Sequence, residues 1–99
     1  MIPAPYDKYA SHVTVGCVNF RSIWGDKAAN LEKIKRFIVE GALQGVDILV
    51  FPELCLSGYE ADEKRVLHSE LAETIPGPSV DVICELAAEH NMYVTFGMP

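Results

Sequence analysis

Long apolar runs are lacking in this 99-residue chain. None approaches the roughly 18 residues that a membrane-spanning helix requires, so a membrane role is not expected. Met1 to Ala10 carries Asp7 and Lys8 and has no continuous apolar stretch, which is the wrong pattern for a secretory signal. Cysteine is scarce and odd in number. Cys17, Cys55 and Cys84 show neither the short spacing of a zinc knuckle nor that of a redox pair. His12, His68 and His90 share no metal-ligand spacing with them. Three free thiols in a reducing compartment, a cytoplasmic location, no metal and no organic cofactor are the expectations.

Basic residues thin out along the chain. Residues 1–50 hold six basic and five acidic side chains, residues 51–99 two and nine, within a net charge of -6. Phosphate binding needs clustered Lys and Arg, so nucleic acid and anionic membrane are poor partners. Lys33, Lys35 and Arg36 do cluster, but a solvated helix face accounts for them. Ser57-Gly58 lacks both the glycine spacing and the lysine of a phosphate loop. Internal repeats are absent. With 49% hydrophobic and 22% charged residues the composition is that of a globular protein, not a disordered tail. A chain this long buries about two-thirds of its open surface, enough for one core.

The apolar pattern implies the order β-α-β-α-α-β. His12 to Phe20 reads as a strand with apolar residues at 13, 15, 18 and 20, and small Gly16 and Cys17 suit close approach by a neighbour. Asp26 is positioned to cap a helix whose stripe is Leu31, Ile34, Ile38 and Ala42, widened by Phe37 and Gly41. Glu32 with Arg36, and Arg36 with Glu40, are spaced to pair. Gly45 suits a left-handed helix end. Ile48 to Phe51 is uninterrupted apolar, as in a strand covered on both faces, and Pro52 should end its regular pairing. After a loop around Gly58 a helix is expected from about Asp62 to Glu73, with Val66, Leu67 and Leu71 inward. Ser79 is placed to cap another, which runs to His90 with Val80, Ile83, Cys84 and Ala87 inward and Asn91 as terminator. Met92 to Gly97 is a third strand. Helical crossovers of this length imply parallel strands in an α/β fold.

Glu53 is the informative residue, since reacting groups in an open parallel sheet collect beyond the carboxyl ends of the strands. A carboxylate leaving a buried strand is expected to be partly desolvated, which suits proton transfer near neutrality. Cys55, two residues on, reads as packing, because a neighbouring carboxylate disfavours its thiolate. For Tyr59 two readings stay open, a pocket wall beside Glu53 or a loop anchor.

The stretch Asp47-Ile48-Leu49-Val50-Phe51-Pro52-Glu53-Leu54, followed by Leu56-Ser57-Gly58-Tyr59, resembles the first signature of the nitrilase superfamily of carbon–nitrogen hydrolases. Val18-Asn19-Phe20, Asn30-Leu31, Pro76-Gly77-Pro78 and Val94-Thr95-Phe96-Gly97 resemble its flanking features, so the likeness runs from about residue 12 onward. It implies that residues 1–99 form the N-terminal portion of one α-β-β-α sandwich domain, with 1–11 an irregular lead-in. It also implies a Glu-Lys-Cys set in which Glu53 is the general base, Tyr59 is a candidate substrate contact, and a thioester forms on a cysteine. The family's lysine and nucleophilic cysteine have no matching position in these 99 residues, and Lys64, Cys55 and Cys84 do not take their roles. These residues alone are therefore expected to be inactive. Phe-Pro-Glu-Leu with Ser-Gly-Tyr resembles the amidase and carbamoylase branch, which implies a small-molecule amide or carbamoyl substrate. Open sheet edges lead us to expect a homo-oligomer, or association with the remainder of the fold. The rival is a self-contained flavodoxin-like or Rossmann-like binding or interaction module without catalysis, against which stands a turn from Asn19 to Asp26 without a glycine-rich cradle.

Overall fold

In a computed structural model, which describes residues 12–59 and 68–99, the expected order is present. The elements are β1 (Val15–Cys17), α1 (Lys27–Leu43), β2 (Ile48–Glu53), α2 (His68–Leu71), α3 (Pro78–Glu89) and β3 (Tyr93–Gly97). The strands form one parallel sheet in the order β1-β2-β3. The expected lead-in, and the start of the expected helix at Asp62 with Val66 and Leu67, lie outside the described residues. Among the described residues no helix is long and apolar enough to cross a membrane.

Helix α1 forms for the reasons its sequence offers. Asp26 accepts the N–H of Ala29 through Oδ1 at 3.0 Å, which satisfies one of the first-turn donors. Ile34 and Ile38 are 0% exposed and meet Leu49, Phe51 and Ile83 in the core. Truncating either isoleucine to alanine removes about 2–5 kcal/mol, the usual range for such a cavity. Gly45 turns out of the helix with φ of 75°. Glu32 pairs with Lys35 at 3.1 Å rather than with Arg36.

The sheet is covered on one face. Leu49 and Phe51 point into the helix layer, where α1 and α3 pack. Gly16 and Gly41 allow this approach: a Cβ at Gly16 would lie 3.0 Å from Leu49 Cδ1. The other face carries the rows Val15–Ile48–Tyr93 and Cys17–Val50–Thr95. There Val15, Cys17, Tyr93 and Thr95 are exposed, Tyr93 by 78%, while Ile48 and Val50 are half-buried. Cover on both faces of β2 was expected, and these residues supply one.

Three further expectations are corrected. Regular pairing in β1 is shorter than 12–20 and covers Val15–Cys17; at its start the Thr14 N–H bonds the Asp47 carboxylate, while the Thr14 carbonyl still accepts the Asp47 and Ile48 N–H groups. Ser79 does not cap α3. Gly77 is the N-cap, Pro78 opens the helix, and Ser79 is buried in its first turn. Cys84 is exposed, with Ile83 taking the inward position. Asn91 terminates α3 with φ of 51°, as read from the sequence.

Glu73 explains what replaces the Ser79 cap. It lies beyond α2, and its side chain is 6% exposed. Its Oε1 accepts the Ser79 N–H at 2.8 Å and its Oε2 accepts the Ser79 hydroxyl at 2.7 Å. Lys27, at the start of α1, pairs with Oε2 at 2.8 Å. Burial pushes this carboxyl up, but the bonds from Lys27 and Ser79 outweigh it and leave its pKa below the ordinary 4.5. A depressed folded value stabilises the fold fully above 4.5, and the contribution drains away as pH falls through the lower value. Denaturation midpoints measured from pH 7 to pH 2.5 should therefore show an acid-limb loss that Glu73→Gln lacks. That variant should start less stable at pH 7.

Candidate active site

At the carboxyl ends of β1 and β2 the chain opens into a cleft of about 790 Å³. Phe20, Ser22 and Trp24 of the β1–α1 connection form one wall, Lys33 of α1 another, and Pro52, Glu53 and Tyr59 the third. Phe20 stacks on Phe37 at 5.5 Å and meets Phe51 edge-on at 6.2 Å, so this wall is continuous with the core.

A bulge aims Glu53. Val50 pairs with Thr95 but Glu53 pairs with Gly97, three steps on β2 against two on β3. Pairing thus resumes after Pro52, which was expected to end it. The extra residue absorbs Pro52, which has no N–H to donate. Simple alternation from Leu49 and Phe51 would carry Glu53 under the helices. Instead its side chain stands at the strand end over Gly97, whose added Cβ would lie 3.4 Å from Glu53 Cγ.

Beyond Glu53 the backbone is tightly specified. Leu54 adopts φ of 56° and donates its N–H to Gly97 O at 3.0 Å. Gly58 has φ of 82° and donates to Leu54 O at 2.7 Å. A Cβ at Gly58 would lie 2.8 Å from Trp24 Cα, so both backbone angle and space demand glycine there. Three consecutive carbonyls of this loop then accept bonds from the segment 22–30. Cys55 O takes the Ser22 hydroxyl at 2.9 Å, Leu56 O takes Asn30 Nδ2 at 2.8 Å, and Ser57 O takes the Gly25 N–H at 2.8 Å.

Glu53 and Tyr59, the two residues picked out from the sequence, line the same cleft. Both are exposed. The desolvation expected of Glu53 is therefore not present, because β2 ends at the rim and no described element covers it. Tyr59 faces the cleft as a wall and is not buried as an anchor. Cys55 is fully buried, and the main cause of its unreactive character is loss of water rather than a charged neighbour. Burial pushes its thiol up to about 11, even though backbone bonds favour the thiolate. Lys33 is more than the solvated cation expected. Its Nζ donates to Arg21 O at 3.1 Å and lies 6.0 Å from the Phe20 ring centroid, in the cleft wall. Asn30, 0% exposed, was overlooked as a site element. The available signal was its spacing, four and eight residues before Ile34 and Ile38, which sets an amide on the buried stripe.

The carbon–nitrogen hydrolase family profile matches residues 14–99. Nitrilase 2 of Arabidopsis thaliana is 33% identical over 111 residues, covering 94% of this chain and 32% of that protein. Nitrilase 2 of an unknown prokaryotic organism is 32% identical over 96 residues, covering 87% and 31%. Arylacetonitrilase of Aspergillus oryzae is 30% identical over 95 residues, covering 88% and 28%. The chain belongs to the carbon–nitrogen hydrolase family, the nitrilase superfamily. It spans about a third of the length of the curated relatives it matches.

The three thiols differ sharply in access, which alkylation reads directly. Under native conditions at pH 8, iodoacetamide should label exposed Cys84 and leave Cys55 unmodified until the protein is denatured. Peptide mass spectrometry checks this.

Proposed function

We propose that these residues supply the N-terminal portion, with the general base Glu53, of a single-domain hydrolase that cleaves a carbon–nitrogen bond in a small molecule. The observation that carries this reading is Glu53 held at the end of β2 on a cleft shared with Tyr59, in a chain of this family. Glu53 takes the proton of a cysteine thiol outside these 99 residues as the sulfur attacks the electrophilic carbon. With an amide that proton goes to the departing amine, leaving a thioester that one water hydrolyses. With a nitrile it goes to the nitrogen of a thioimidate; a first water then adds and ammonia leaves to give the thioester, and a second water releases the acid and the thiol. Glu53 assists each water. A lysine, also outside these residues, stabilises the negative charge that develops. No metal or organic cofactor takes part in this scheme.

The relatives are named as nitrilases, and this favours a nitrile over the amide or carbamoyl substrate suggested by Ser57-Gly58-Tyr59. Tyr59 and Trp24 form the part of the cleft wall that an apolar substituent would touch. The sheet face bearing Val15 and Tyr93 is the surface that a second sheet of an α-β-β-α sandwich would bury. Exposure of Glu53 agrees with this, since the elements that dehydrate it would come from the same remainder of the fold.

In the full-length protein carrying these residues, Glu53→Gln should lower kcat at least about 100-fold without loss of folding. Ammonia release from aliphatic and aryl nitriles, with the matching amides as comparison, is the assay. Wild-type turnover in that variant sinks the general-base assignment. Residues 1–99 expressed alone should show no turnover above the water background and should self-associate in light scattering through the exposed sheet face. A monodisperse, active preparation would refute both.

A further inference from the structure

Among the described residues no side chain bonds the Glu53 carboxylate, so its placement is left to the backbone on either side. Upstream, the bulge against Gly97 supplies it. Downstream lies the loop 54–58, which begins with a leucine in left-handed backbone. Leucine holds that conformation only where its surroundings impose it. Should the loop come free, Leu54 relaxes to negative φ and Glu53 loses its downstream restraint, leaving only the bulge and the Leu54 N–H bond to Gly97 O to place it.

We infer that Asn30 is the positioning residue that prevents this, acting on Glu53 through the loop; the inference rests on the general-base reading. Asn30 spends one amide on both sides of the junction. Its Oδ1 accepts the Ile23 N–H at 2.8 Å, its Nδ2 donates to Ile23 O at 2.8 Å, and the same Nδ2 donates to Leu56 O at 2.8 Å. Ser22 and Gly25 also hold the loop, but from a connection that is itself held by Asn30 at Ile23. Losing the amide thus loosens the loop and two of its other anchors together. Helix formation gives no reason for an asparagine at this place, since a fully buried position on α1 favours an apolar side chain. What the amide does that leucine cannot is fix Leu56 against Ile23, three residues beyond the carboxylate. A displacement of about 1 Å in a reacting group is enough for a 100-fold loss of rate.

The test uses the full-length protein and the neutral, similarly sized Asn30→Leu, which removes all three bonds without adding a charge near Glu53. Expected is a kcat about 10- to 100-fold lower, normalised to folded protein, with KM within about threefold. The acid limb of the kcat/KM profile should also shift, because the environment of Glu53 has changed. A merely structural role lowers the folded fraction and leaves that limb in place. That result, or wild-type kcat in a folded Asn30→Leu, overturns the inference. Where Asn30→Leu does not fold, Ser22→Ala decides, since it removes one bond to the same loop at a less buried position. A threefold or greater fall in kcat with a shifted limb supports the inference, and unchanged kinetics overturn it. An inactive Glu53→Gln beside a wild-type-like Asn30→Leu defeats the positioning role alone. An active Glu53→Gln defeats the general-base reading, and the positioning role with it.

Discussion

One buried amide bonds to both connections at the mouth of the sheet, which the Ser22 hydroxyl and the Gly25 N–H also join. Asn30 sits on the face of α1 that also carries Ile34 and Ile38, yet its three bonds all run off the helix, to Ile23 and to Leu56. Each such bond contributes about 1 kcal/mol net, and each partner left unpaired in a dry place costs about 1–3 kcal/mol. The constraint is therefore stronger in the breaking than in the making. Around it the cleft takes shape: Trp24 follows the bonded Ile23, Tyr59 follows the bonded loop, and Gly58 lies against the Trp24 backbone too closely for any side chain.

Much of the scaffold was legible because it rests on local rules. The Asp26 cap, the Ile34–Ile38 stripe, the left-handed Gly45 and Asn91, and the parallel order all follow from residue type and spacing. The Ser79 cap was misread because its partner is Glu73, a long-range choice: a buried carboxylate already bound to Lys27 outcompetes a local hydroxyl cap. Pro52 was read as a terminator because it cannot donate, whereas the sheet absorbs it by inserting one residue into β2. Lys33 looked solvated on a helical wheel. Its reach to Arg21 O depends on how the β1–α1 connection folds back, and no local pattern encodes that.

Site and core compete for the same short segment, and the sequence resolves the competition residue by residue. From Leu49 to Ser57 the chain passes from core to rim and back within nine residues. Leu49 and Phe51 are buried, Glu53 is exposed, and Cys55, Leu56 and Ser57 are buried again. An acidic side chain between two such segments has nowhere to go but the cleft. Cys55 shows the reverse assignment. A thiol two residues from a carboxylate is chemically suggestive, but full burial raises its pKa to about 11 and removes it from chemistry.

The exposure of Glu53 and the exposure of Val15 and Tyr93 have a common origin. A parallel sheet built from helical crossovers in the order β1-β2-β3 places both α1 and α3 on one side. Everything these helices do not reach stays wet, including the outer sheet face and the end of β2. Apolar side chains on that face are then evidence about what the sequence is built to meet, since half-buried Ile48 lies between exposed Val15 and Tyr93, and half-buried Val50 between Cys17 and Thr95, with no charged residue in either row. A layer packed there would bury the face, approach the mouth of the cleft and strip water from Glu53. Dehydrating a carboxylate raises its affinity for a proton, which is what a base working on a thiol requires. For the general base proposed above, assembly of the sheet face and tuning of the Glu53 carboxylate would be one event.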